Sequence, residues 1–245
     1  MRIAFSGTQN TGKSTLVKAF LSKYPMYLSP DKTYRDIITE NNLTHSSNTT
    51  EETQLLILDW MMKTHEKYTK SAKVVHDRCV WDNLAYTLAA NAHGKVSDEV
   101  TAASISLVRE SLKYLDIIFW LPYSDHIKIV DDGMRDTDEM HIREVDSIFE
   151  QLYEQYCENL ESDIFYPKED TPAIIKIEGL SVDDRMAYIG EFIDDKGNAV
   201  EPDSNLFSED NLKMLEELLK DQEYAKASDD ALKQIRDSIL TKKDQ

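Results

Sequence analysis

The residues best equipped for chemistry lie close to the N-terminus, where Gly7-Thr8-Gln9-Asn10-Thr11-Gly12-Lys13-Ser14 satisfies the pattern G-x-x-x-x-G-K-[ST] in full. Glycines at its two ends permit turns that other residues resist, so successive backbone N–H groups can face inward and cradle phosphate oxygens at the positive end of a following helix. In such a loop Lys13 reaches the β- and γ-phosphates and Ser14 offers its hydroxyl to Mg²⁺, while Thr15 suits an α-phosphate oxygen or the helix start. The candidate nucleotide contacts are therefore Gly7, Asn10, Thr11, Gly12, Lys13, Ser14 and Thr15. A turn that binds nothing is the competing reading; the strand-like run before the loop and the helical period after it argue against that.

A second cluster follows the apolar run Val74-Val75-His76, which ends in Asp77-Arg78. In open α/β sheets ligands bind at the carboxyl ends of strands, so Asp77 is expected to point toward the phosphates. A carboxylate there can hold Mg²⁺ or take a proton from an attacking hydroxyl, and Arg78 can contact transferring phosphate oxygens. A surface ion pair at a strand end is the plainer alternative. Asp82, one helical turn beyond Arg78, is placed to orient it.

Positioning these groups requires a sheet. Apolar segments of strand length alternate with longer segments of helical period, the pattern of βαβ units. Strands are expected at 2–6, 26–29, 74–77, 117–121 and 174–177, and helices at 12–24, 51–68, 81–92, 99–114 and 139–160. Within 51–68 the apolar face reads Leu55, Leu58, Met62 and His65; within 139–160 it reads Val145, Ile148, Phe149, Leu152 and Tyr156. The predicted fold is three-layer α/β/α with a mainly parallel five-stranded sheet, occupying residues 1–193 with a lid near 123–138. Asp194-Asp195-Lys196-Gly197-Asn198 and Pro202-Asp203-Ser204-Asn205 mark a linker over 194–207. An acidic extension over 208–245 carries two short amphipathic segments that could pack on their own domain or mediate self-association.

Composition narrows the function classes. A net charge of −18 argues against broad, sequence-independent binding to nucleic acid, which depends on Lys and Arg neutralising phosphates. No run approaches the roughly 18 apolar residues of a membrane helix, and the first residues lack the features of a signal peptide, so a cytoplasmic protein is expected. Cys79 and Cys157 cannot build a disulfide framework and have no neighbours at zinc-ligand spacing, which leaves them as buried free thiols. Lys63, Lys67, Lys70 and Lys73 could form a basic edge or a solvated helix face.

The stretch Asp77-Arg78-Cys79-Val80-Trp81-Asp82-Asn83-Leu84-Ala85-Tyr86 resembles the Asp-Arg-x-x-x-Asp-x-Leu-Ala-Tyr motif of the NadR-like AAA-type ATPase/kinase family, small P-loop kinases related to thymidylate and deoxynucleoside kinases. Asp132-Gly133-Met134-Arg135-Asp136-Thr137-Asp138 is similar to that family's lid segment. The resemblance spans roughly residues 1–193 and implies that Arg135 closes over the triphosphate, with Arg143 as a second candidate that could equally pair with Glu139 or Glu144 on its own helix. It also implies an acidic residue and then an arginine soon after the second strand. Here the region reads Ser29-Pro30-Asp31-Lys32-Thr33-Tyr34-Arg35, so the expected acid falls on Lys32; either Asp31 supplies the carboxylate from a shifted loop or Asp77 is the only base. Arg35 becomes a candidate for binding an acceptor phosphate, or pairs with Asp36 or Glu40.

The expected activity is ATP- and Mg²⁺-dependent phosphoryl transfer to a nucleoside, nucleotide or related small molecule, using Lys13, Ser14, Asp77, Arg78 and Arg135. Tyr34, Trp60 and Trp81 either stack on an acceptor base or pack in the core. Two alternatives stand beside it: phosphorylation of a hydroxyl on nucleic acid, and an ATP-binding regulatory module with slow hydrolysis that reports through the C-terminal segments.

Overall fold

The computed structural model describes residues 1–44, 46–124, 138–157, 170–179 and 181–200. The compact unit formed by Met1–Ala199 contains all of the elements below; the rest of the expected linker and the C-terminal extension expected to be helical lie outside the described residues.

Four strands form the sheet among the described residues: β1 (Arg2–Ser6), β2 (Val74–Asp77), β3 (Ile117–Trp120) and β4 (Ala173–Lys176). Their order is β2-β1-β3-β4 and every pairing is parallel. Side chains of alternating residues feed two cores. Ile3, Phe5, Val75, Ile117 and Phe119 enter one with α1 (Lys13–Lys23) and α7 (Val182–Ile189). Ala4, Ile118, Trp120 and Ile174 enter the other, with α3 (Glu51–Glu66), α4 (Val80–Ala92), α5 (Asp98–Ser111) and α6 (Glu139–Cys157). A sheet covered on both faces explains why its strands read as near-continuous apolar runs. The three-layer α/β/α fold therefore stands as expected.

The fifth expected strand, over 26–29, reduces to a single bridge between Leu28 and Val74. Pro25 and Pro30 bracket the segment, and Leu28 is 66% exposed on the sheet edge, so neither chain geometry nor burial extends the pairing. Two helices had no counterpart in the expectation, α2 (Tyr34–Glu40) and α7. The first is held by an N-terminal cap in which the Thr33 N–H and hydroxyl both donate to the Asp36 carboxylate.

The buried face of α3 also differs from expectation. Gln54, Ile57, Leu58, Met61 and His65 are buried whereas Leu55 is exposed. The face rotates because Gln54 is tied inward: its Nε2 donates to Thr49 Oγ1 at 2.8 Å and its Oε1 accepts from Asn83 at 3.0 Å. Both cysteines are free, but only Cys79 is buried; Cys157, contrary to expectation, is exposed at the last turn of α6, where its neighbour Tyr156 takes the core-facing position.

Candidate active site

The register of the sheet brings the two candidate clusters to one edge. Phe5 pairs with Asp77 and Ser6 with Trp120, so the chain leaves β1, β2 and β3 at the same end. From β1 it enters the phosphate loop, whose curvature rests on positive φ at Gly7 (134°), Asn10 (64°) and Gly12 (86°). At Gly7 the requirement is also spatial, because a Cβ there would stand 2.4 Å from the Leu121 carbonyl oxygen. Helix α1 begins immediately after Gly12.

Within the loop, the Lys13 ammonium donates to the Thr8 carbonyl and, at 3.1 Å, to Thr11 Oγ1. Thr11 itself donates from its hydroxyl to the Thr8 carbonyl at 3.0 Å. Ser14 Oγ donates to Asp77 Oδ2 at 2.6 Å, across a sequence separation of 63 residues. A cavity of about 150 Å³ is lined by Asn10, Gly12, Lys13, Ser14, Thr15, Tyr34, Arg35, Asp77 and Arg78 together with Gln9. Asp77 is its one carboxylate among the described residues. Gly7 and Thr11 lie outside that lining and act through the loop's own frame.

Arg78 adopts φ 81°, unusual for a residue with a side chain, while its N–H donates to the Phe5 carbonyl at 3.0 Å. Its guanidinium is clamped on all sides. Nη1 donates to Asp82 Oδ1 at 2.8 Å and to the Gly7 carbonyl at 3.0 Å, and the rings of Tyr34 and Tyr86 lie 4.9 and 5.2 Å from its centre. Burial opposes the charge, but Tyr86, Tyr34, Asp82 and Asp77 outweigh it and hold the pKa above its ordinary value. Asp82, 1% exposed, does more than orient Arg78: Oδ1 also accepts from the Gly7 N–H at 3.1 Å and Oδ2 from the Cys79 N–H at 3.0 Å. One carboxylate thus joins the start of the phosphate loop to the start of α4. The spacing Arg78-x-x-x-Asp82 signalled the ion pair; nothing local to Asp82 signalled its reach to Gly7.

The remaining candidates fall as follows. Arg35 faces the cavity, with Nε 3.4 Å from the Tyr34 hydroxyl, while Glu40 pairs with Lys32 and Asp36 caps its own helix. Asp31 is exposed in the bend before α2 and does not line the cavity. Arg143 pairs with Glu139 at 2.6 Å and lies over the Tyr123 ring. Arg135 and most of the lid lie outside the described residues. Of the aromatic candidates, Tyr34 lines the cavity, Trp81 is fully buried and Trp60 packs against the core. Asp146 on α6 is a carboxylate that sequence reasoning missed; burial raises its pKa, opposed by the Tyr123 N–H and by the charges of Lys176 and Lys13.

Loop residues at positive φ, a loop lysine, a serine against a strand-end carboxylate and flanking arginines are the features of a P-loop NTPase fold. The family model described as "AAA domain" matches residues 2–160, and the chain belongs to that family. No curated protein sequence matches it significantly. Among solved structures, deoxyadenosine kinase from M. mycoides with products dCMP and a flexible dCDP bound superposes with a TM-score of 0.54 at 15% identity, covering 77% of this chain and 96% of that one. The same enzyme with bound dATP gives 0.50 at 16% identity, over 77% and 97% of the two chains. NadR protein in complex with NR gives 0.51 at 17% identity, over 77% of this chain and 51% of NadR. These likenesses are likenesses of fold.

Proposed function

We propose that this protein is a kinase that transfers the γ-phosphoryl group of ATP to a nucleoside, a nucleotide or a related small molecule. The observation that carries the reading is the Ser14–Asp77 contact inside a cavity that also presents Lys13, Arg35 and Arg78. Phosphoryl transfer demands positioning and charge stabilisation more than covalent chemistry, and those side chains provide it. Lys13 and the loop amides hold the β- and γ-phosphates. Arg78, fixed by Asp82 and two aromatic rings, neutralises charge on the transferring group, and Arg35 binds the acceptor side. Asp77, the one carboxylate lining the cavity among the described residues, receives the proton of the acceptor hydroxyl. We assign Arg135 to closure over the triphosphate.

The oxygen donors Ser14 and Asp77 suit a hard cation such as Mg²⁺, which when bound would neutralise charge on the β- and γ-phosphates. Their mutual hydrogen bond already holds both oxygens at the same point.

A small acceptor is favoured by a second cavity of about 470 Å³, within the range of ligand pockets. Tyr86, which touches Arg78, lines it with Ala89, Ala90, Met140 and His141. A polymer acceptor is not supported by three of the four lysines at 63–73. Lys63 pairs with Asp59, Lys70 with Asp170, and Lys73 donates to Asn198.

The deciding assay is transfer of label from γ-labelled ATP with Mg²⁺ to a panel of nucleosides, nucleoside monophosphates, nicotinamide riboside and single- and double-stranded DNA, with Lys13→Ala as control. Label on one small acceptor, lost in the variant, is the expected result. Label on DNA alone, or on nothing while ATP still binds, would overturn the reading.

A further inference from the structure

Helix α7 carries a cation that the site described above does not use. Arg185 is only 5% exposed, yet lies 174 residues beyond Thr11, to whose carbonyl its Nη1 donates at 2.6 Å. Its Nε donates to the Gly179 carbonyl at 2.8 Å. The loop has been shaped to admit it, since a Cβ on Gly12 would stand 3.2 Å from Nη1. On the other side Gly179, at φ 132°, brings the chain against the Arg185 stem. The helix that presents it is capped by Ser181, whose Oγ accepts from the Asp184 N–H at 3.0 Å, and its Met186 and Ile189 anchor it in the core beside α1.

Two physical consequences follow. A trans peptide points its C=O and N–H in opposite directions, so fixing the Thr11 carbonyl on α7 aims the Gly12 N–H away from α7, and Gly12 lines the phosphate cavity. A buried cation is also costly unless an anion offsets it, and among the described residues Arg185 forms no ion pair with a carboxylate; burial alone acts on its pKa, lowering it. The two carbonyls supply part of the compensation.

We propose that Arg185 is a nucleotide-positioning residue, holding the Thr11–Gly12 peptide in its phosphate-binding orientation and adding positive charge behind the loop for a nucleoside di- or triphosphate. This rests on the reading of the loop as the nucleotide site.

The test uses the full chain, titrated with ADP and Mg²⁺ by calorimetry, with Lys13→Ala as reference. Arg185→Gln is expected to weaken ADP binding by about tenfold or more, and Arg185→Lys, which keeps the charge and one donor, to recover most of that loss. In the transfer assay the Arg185→Gln KM for ATP rises while kcat at saturating ATP stays within about threefold, a split that a merely loosened fold would not give. Unchanged ADP affinity in a folded Arg185→Gln chain overturns the proposal alone. Failure of the unaltered chain to bind ADP overturns the nucleotide reading and this inference with it. Should Arg185→Gln not fold, the Arg185 Nε–H resonance of the unaltered chain, assigned by its loss in Arg185→Lys, decides. A shift with ADP but not with adenosine supports the proposal, and no shift with ADP sinks it.

Discussion

Ser14 donates its hydroxyl to Asp77 at 2.6 Å although the two residues belong to different βα units. The contact exists because β1 and β2 are parallel neighbours with Phe5 opposite Asp77, so the loop after one strand meets the last residue of the other. Asp77→Asn keeps the shape and removes the charge and the proton acceptor. It is expected to reduce phosphoryl transfer by about a hundredfold or more while ADP binding persists. Single-turnover transfer beside ADP calorimetry checks this; a fully active Asp77→Asn would remove Asp77 from both roles assigned to it.

Asp82 ties three partners together, and its loss strands a buried guanidinium. Asp82→Ala is expected to lower unfolding stability by about 3–5 kcal/mol, because breaking a buried pair leaves Arg78 uncompensated. The Arg78→Ala/Asp82→Ala double variant should lose much less than the sum of the single losses. Urea unfolding of the four chains measures the coupling, and additivity would contradict the geometry.

Much of this arrangement was legible in the sequence, and most of the exceptions share a cause. Periodicity located β1, β2 and α6 because a strand covered on both faces and a long amphipathic helix each impose a distinct pattern. The phosphate loop was legible because backbone turns, lysine and hydroxyl must follow one another in order. Asp82 on Gly7, Arg185 on Thr11 and Gln54 on Asn83 were not, since each joins residues far apart in the chain through a buried polar contact that leaves no period. The strand at 26–29 failed for a different reason: on the sheet edge between Pro25 and Pro30, the burial of Tyr27 alone, with Met26 and Leu28 exposed, sustains no more than a single bridge.

A pair of histidines predicts acid sensitivity. His65 and His76 lie with ring centroids 4.7 Å apart in the core beside Tyr68, and burial, reinforced by the nearby Arg2 charge, lowers both pKa values, that of His76 to about 4. A histidine whose folded pKa lies below its unfolded value near 6.5 binds more protons when unfolded. Its contribution is therefore complete above that pH and is lost as pH falls through the window from about 6.5 to about 4. For His76 alone the loss is about 3 kcal/mol. Denaturant midpoints measured from pH 7.5 to 4.5 should fall less steeply in His76→Phe than in the unaltered chain; parallel profiles would count against the neutral buried pair.

The tightest steric demand in the site falls on Gly7, and it separates shape from charge. With φ at 134° and the Leu121 carbonyl oxygen 2.4 Å from an added Cβ, Gly7→Ala must move the backbone just beyond the end of β1 or of β3, since neither atom belongs to a flexible side chain. The same peptide frame supplies the N–H to Asp82 and the carbonyl to Arg78, so the displacement propagates to the strand-end cluster. A destabilisation of about 2–4 kcal/mol is expected, combining positive-φ strain with overpacking, together with loss of ADP binding even below the melting temperature. Lys13→Ala, by contrast, should weaken ADP binding without comparable loss of stability. Thermal melts and calorimetry on both variants distinguish the two effects, and a Gly7→Ala chain as stable as the parent would show that β1 and β3 can separate at this edge.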